Sequence, residues 1–94
     1  MPSFTVHCEK GRANTIVCEV IPTGSSAKAT VSVRQAGVSK TAKRSGRGKV
    51  KVRLNAAKRL RGKERVVVRY RSSAMHGRVV IRLGRTVRVV SAKR

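Results

Sequence analysis

The chain has 94 residues, of which 24 are Lys or Arg and three are acidic, for a formal net charge of +21. That length is one domain, residues 1–94. Asp is absent, and the acids are Glu9, Glu19 and Glu64 alone. A Ser-His-Asp site, a carboxylate-pair site and an oxygen-ligand metal cage are therefore unsupported. The expectation is a protein that is not an enzyme and carries no cofactor.

Apolar residues are mostly small, with sixteen Val and nine Ala against three Leu and three Ile. Branched Cβ atoms suit a pleated surface, so strands are expected. No stretch approaches the ~20 apolar residues of a membrane helix. The N-terminus lacks the basic and apolar regions of a signal peptide.

The opening reads as a hairpin. Phe4–Cys8 and Thr15–Ile21 are strands, with a loop over Glu9–Asn14. Setting Cys8 opposite Cys18 places Val6 opposite Val20 and His7 opposite Glu19. Phe4, Val6, Cys8, Cys18 and Val20 then share one face by the period of two. Hydrophobicity and the cysteines thus agree on one register, which brings the sulfurs within disulfide range. An oxidising final location favours a Cys8–Cys18 bridge, with buried thiols as the alternative. A zinc half-site is disfavoured because His7 alternates to the other face.

Pro22–Ser26 reads as a turn and Ala29–Arg34 as a half-buried strand. Gln35–Gly37 turns the chain into Val38–Ala42. Lys43–Gly48 reads as a basic, glycine-rich loop without the spacing of a phosphate-binding motif. Lys49–Leu54 alternates basic and apolar residues. Asn55–Leu60 is expected to form one helical turn, capped by Asn55 and ended by Gly62. Arg65–Arg71 is a strand with central character and Ser72–Gly77 a turn. Arg78–Leu83 and Arg85–Val90 complete the set, and Ser91–Arg94 is a short basic tail. About eight short strands with frequent turns imply an all-β antiparallel sandwich.

Charge is uneven, net +6 over residues 1–47 and +15 over residues 48–94. The alternation of Lys49, Lys51 and Arg53, of Arg69 and Arg71, and of Arg78 and Arg82 implies that the second half builds a sheet with a basic outer face. Together with Lys43, Arg44 and Arg47 these ten residues form the candidate contact surface. A charge of this size exceeds the roughly 2–8 that solubility asks of a small domain.

The order of a Cys-turn-Cys hairpin, Val31-Ser32-Val33-Arg34, a basic loop, Gly48-Lys49-Val50-Lys51-Val52-Arg53-Leu54 and Ala56-Ala57-Lys58-Arg59-Leu60-Arg61-Gly62 resembles a known family. It is similar to the small immunoglobulin-like β-sandwich modules of surface and secreted proteins of high-GC bacteria and of structural proteins of their phages. The resemblance runs from Cys8 to Val90. It departs at Glu64, where such modules carry an aromatic residue. It implies an immunoglobulin-like sandwich without a common catalytic site.

The resemblance and the charge together suggest a phage virion accessory protein, a capsid decoration or tail-associated subunit, docking on an acidic protein lattice. One alternative is sequence-independent nucleic-acid binding through phosphates; no recognition helix or stacking aromatics support base reading. Another is a secreted or cell-wall adhesion module. Localisation would be the virion or, in the last case, the extracellular space. Self-association into a homo-oligomer stays open. His7 and His76 have no chemical role in this reading.

Overall fold

A valine-rich chain has few ways to bury its apolar surface except between pleated sheets. In a computed structural model, which describes residues 2–90, the chain does so with eight strands in two four-stranded antiparallel sheets. They are β1 (Ser3–Lys10), β2 (Thr15–Thr23), β3 (Ala29–Gln35), β4 (Thr41–Gly46), β5 (Val50–Asn55), β6 (Arg65–Ser72), β7 (His76–Arg82) and β8 (Thr86–Val90). One sheet has the order β5-β2-β1-β8 and the other β4-β3-β6-β7. The chain changes sheets after β2, β4, β5 and β7, which makes an all-β antiparallel sandwich. Among the described residues no helix is long and apolar enough to cross a membrane. The basic tail 91–94 lies outside the described residues.

The core is the inner face of each strand. Val6, Cys8, Ile16, Cys18, Val20, Val31, Val33, Val66 and Val68 are fully buried, and Leu54 and Leu60 nearly so. The only Phe and the only Tyr meet across the two sheets: the rings of Phe4 and Tyr70 stack with centroids 4.8 Å apart. Gly77 allows this approach, since a Cβ there would sit 2.9 Å from the Phe4 ring. Burial holds the Tyr70 phenol above its usual pKa. Its hydroxyl has no hydrogen-bond partner; nearby Ser72 opposes the shift, yet its own proton goes to the Met75 carbonyl.

The hairpin register is as the sequence implies: Val6 faces Val20, His7 faces Glu19 and Cys8 faces Cys18. Cys8 and Cys18 are joined in a disulfide, with Cα atoms 4.1 Å apart. The Gly11 amide donates to the Thr15 carbonyl on this same register. Hydrogen-bonded pairs recur at every second position, so Cys8–Cys18 is a non-hydrogen-bonded pair, the kind with closer Cα atoms.

Three local expectations are corrected. Pro22 and Thr23 belong to β2 rather than to a turn. Residues Lys43–Gly46 are not a loop but most of β4, while Val38–Lys40 lie outside it. β4 is an edge strand, where only one side of the backbone must pair, so glycine and charge are tolerated. Asn55–Leu60 forms no helical turn: Asn55 ends β5, the chain bends at Ala57–Lys58, and Asn14 holds the segment in place. The Asn14 side chain donates to the Lys58 carbonyl at 2.9 Å and accepts the Leu60 amide at 2.8 Å. Its backbone carbonyl takes the Ala56 amide at 3.1 Å. Asn14 reaches these groups from a left-handed conformation, φ 56°, which Asn tolerates better than most residues.

Glu64 stands where an aromatic corner residue was expected by resemblance. Its carboxylate accepts the amides of Arg61, Gly62 and Lys63 at 2.8, 2.9 and 3.1 Å. Bonding back to the chain just upstream is what a tyrosine corner does with its hydroxyl. These amides hold the Glu64 carboxyl below its usual pKa, against a smaller opposing effect of burial.

Candidate functional site

The outer face of sheet β4-β3-β6-β7 follows from the period of two and the strand register. Val66, Val68 and Tyr70 point inward on β6, so Arg65, Val67, Arg69 and Arg71 point outward. Across the pair lie Arg82, Val80, Arg78 and His76 in turn. On the other side β3 presents Arg34, Ser32 and Thr30, and β4 presents Thr41, Lys43 and Ser45 opposite them. The face thus holds seven permanent cations, Arg34, Lys43, Arg65, Arg69, Arg71, Arg78 and Arg82, and no carboxylate. Among the described residues none of the seven has an ion-pair partner.

Two features shape this face. Thr30 and Ser32 are short and lie between the longer side chains of β4 and β6. They form the floor of an open trough of about 370 Å³, walled by Arg34, Thr41, Lys43, Val67, Arg69 and Arg71. Beside it, Val67 and Val80 oppose each other, and Val80 is 48% exposed. Arg65, Arg69, Arg78 and Arg82 flank this apolar pair along their own strands.

The ten sequence candidates do not form one surface. Lys43, Arg69, Arg71, Arg78 and Arg82 share the face just described. Arg44 registers with inward-facing Val31 and is exposed at the rim of β4. Arg47 lies in the turn after β4 and donates to the Ser26 carbonyl at 2.9 Å. Lys51 and Arg53 lie on β5, on the outer face of the opposite sheet, with Lys49 just before them. There Glu19 lies between Lys49 at 4.0 Å and Lys51 at 3.6 Å. The second half of the chain therefore does not build a single basic sheet, because β5 and β6 fall in different layers. Arg34 and Arg65 were missed as candidates, though their alternation with Ser32 and with Arg69 marks them as outward.

The histidines take different places. His7 contacts Thr86 Oγ1 through Nδ1 at 2.8 Å and Glu9 Oε1 through Nε2 at 3.2 Å, rather than Glu19 across the register. His76 joins the basic face opposite Arg71. Comparison with known proteins gives no match: no family model fits the chain, and no curated protein or solved structure is significantly similar to it.

Proposed function

We propose that the protein is a non-catalytic docking module whose β4-β3-β6-β7 outer face binds an acidic protein surface. The observation that carries this reading is a seven-cation face without a carboxylate, in which Arg69 opposes Arg78 and Arg65 opposes Arg82. Directly opposed like charges cost stability. A partner that supplies carboxylates removes that cost and gains charge-assisted hydrogen bonds, for which the arginine fork is well suited.

Exposed Val80, set against buried Val67 within an arginine surround, has the anatomy of a protein interface, apolar at the centre and polar at the rim. It offers nothing to a phosphate backbone. Both aromatic rings are buried, so stacking on unpaired bases is not available. A virion accessory protein on an acidic capsid or tail lattice is the setting this reading favours. Capsid and portal genes beside its own would support that setting, and their absence would count against it.

The test is binding to immobilised polyglutamate and to random-sequence duplex DNA between about 0.05 and 1 M salt. Arg69→Glu with Arg71→Glu should abolish polyglutamate binding. Lys10→Glu with Arg12→Glu makes the same change in net charge on the other sheet's hairpin and should leave it intact. DNA binding that is tighter than polyglutamate binding, with a log–log salt slope of several phosphates, would transfer the reading to nucleic acid. Binding to neither at low salt would make the face a plain solvated surface.

A further inference from the structure

Strand β7 is an edge of its sheet, and its backbone hydrogen bonds identify which groups are free. The Leu83 amide donates to the Glu64 carbonyl at 3.0 Å, and the Ser72 amide to the Met75 carbonyl at 2.9 Å. Both bonds lie on the β6–β7 register, in which Val66 faces Ile81, Val68 faces Val79 and Tyr70 faces Gly77. Hydrogen-bonded pairs alternate along an antiparallel ladder, so these three pairs are the bonded ones. The N–H and C=O groups of His76, Arg78, Val80 and Arg82 therefore point away from β6, and of these the Arg82 carbonyl accepts the Arg85 amide at 3.1 Å in the turn to β8. Among the described residues no strand pairs with them. The same four residues project exposed side chains onto the basic outer face.

We propose that β7 accepts an extended acidic segment of the partner protein as an added antiparallel strand, with carboxylates opposite Arg82 and Arg78 and an apolar side chain opposite Val80. This inference rests on the docking reading above and names its mode.

Three arguments select that occupant. The free groups alternate donor and acceptor along the edge, which a peptide backbone satisfies and a phosphate chain, having no donors, does not. Side chains two residues apart on an added strand lie on one face with a spacing of about 6.6–6.8 Å, so an acidic-x-apolar-x-acidic segment matches Arg82, Val80 and Arg78 position by position. A second copy of this chain is the wrong partner: antiparallel pairing about Val80 sets Arg78 against Arg82 of the other copy. The charges that guard the edge against self-association thus also choose an acidic strand.

The probe is a fluorescent peptide, Glu-Thr-Val-Thr-Glu-Thr-Glu, read by anisotropy and by amide hydrogen exchange of the protein. In the added strand the Val amide faces β7 and the neighbouring Thr amides face away. N-methylation of the Val should weaken binding by about tenfold or more, the loss of a hydrogen bond plus a clash, while N-methylation of the following Thr should not. A scrambled peptide of equal charge should bind as weakly as the N-methyl-Val form. Exchange at Arg78, Val80 and Arg82 should slow on binding. Val80→Pro removes a donor that the fold does not use and should weaken the intact peptide to the same degree. Equal binding of all peptides without slowed exchange at Arg78 and Val80 would overturn strand addition while leaving acidic docking in place. Loss of polyglutamate binding at low salt is the separate result that removes docking itself.

Discussion

Replacing Arg78 by Glu should make this protein more stable. Arg78 faces Arg69 on the β6–β7 ladder, and the pair falls between bonded pairs, where side chains approach most closely. Opposed like charges cost roughly 0.2–1 kcal/mol, and opposed unlike charges gain a similar amount. Coulomb's law agrees in scale, about 1 kcal/mol at 4 Å in water. The swing for Arg78→Glu is therefore about 1 kcal/mol, or about 4–8 °C in melting temperature for a domain of this size. Thermal melts at low salt measure it, with Arg12→Glu as a control for the change in net charge alone. In 1 M salt screening acts within about 3 Å, and the difference between the two variants should largely vanish. The reasoning fails if Arg78→Glu melts no higher than Arg12→Glu at low salt, or if its advantage persists undiminished at high salt.

Other expectations follow from the core and the turns. Reduction of Cys8–Cys18, which spans ten residues, should cost about 2–3 kcal/mol through the unfolded chain and lower the melting temperature by on the order of 10–20 °C; an unchanged melt in reductant would contradict this. Tyr70→Phe removes a buried hydroxyl without a partner and should leave stability unchanged or raise it by about 1 kcal/mol, read by urea denaturation. Because the folded phenol is harder to ionise than the unfolded one, stability should also fall as pH rises above 10, and Tyr70→Phe should lose that dependence. Glu64 has the opposite sense: its stabilisation is present above the unfolded value of 4.5 and lost as pH falls through the lower folded value. Glu64→Gln should flatten that acid limb in melts at successive pH values.

The strands were legible where local pattern and packing coincide. The β1–β2 register was fixed twice over, by alternating valines and by two cysteines that must meet. The central place of β6 was readable from three consecutive valines, Val66–Val68, all of them buried. β4 was not readable, because Lys43, Arg44, Ser45 and Gly46 have loop composition and form a strand only as an edge against β3. The 56–60 segment was misread for a different reason. Its helix-favouring alanines are overruled by Asn14, a residue more than forty positions away whose side chain claims the Leu60 amide and the Lys58 carbonyl. The basic surface failed at the level of layers. Alternation reveals that Lys51 and Arg53 share one side of a strand, and that Arg69 and Arg71 do too. It is silent on whether β5 and β6 share a sheet, since that depends on where the chain crosses over.

That crossover gives the charge its meaning. Glu19 lies beside the lysines around β5, Glu9 contacts His7 on β1, and Glu64 is committed to the 61–63 amides. Every carboxylate side chain of the protein is thus engaged away from the β4-β3-β6-β7 face. The arginines there gain no intramolecular relief, yet they stand opposite one another in pairs rather than spread apart. A surface serving solubility alone would interleave acids or separate like charges, because both raise stability at no cost to solubility. With the two large aromatic rings consumed by the Phe4–Tyr70 stack, the face offers cations, hydroxyls, the exposed Val80 and a free strand edge. That combination suits carboxylates carried on a polypeptide better than phosphates carried on a nucleic acid.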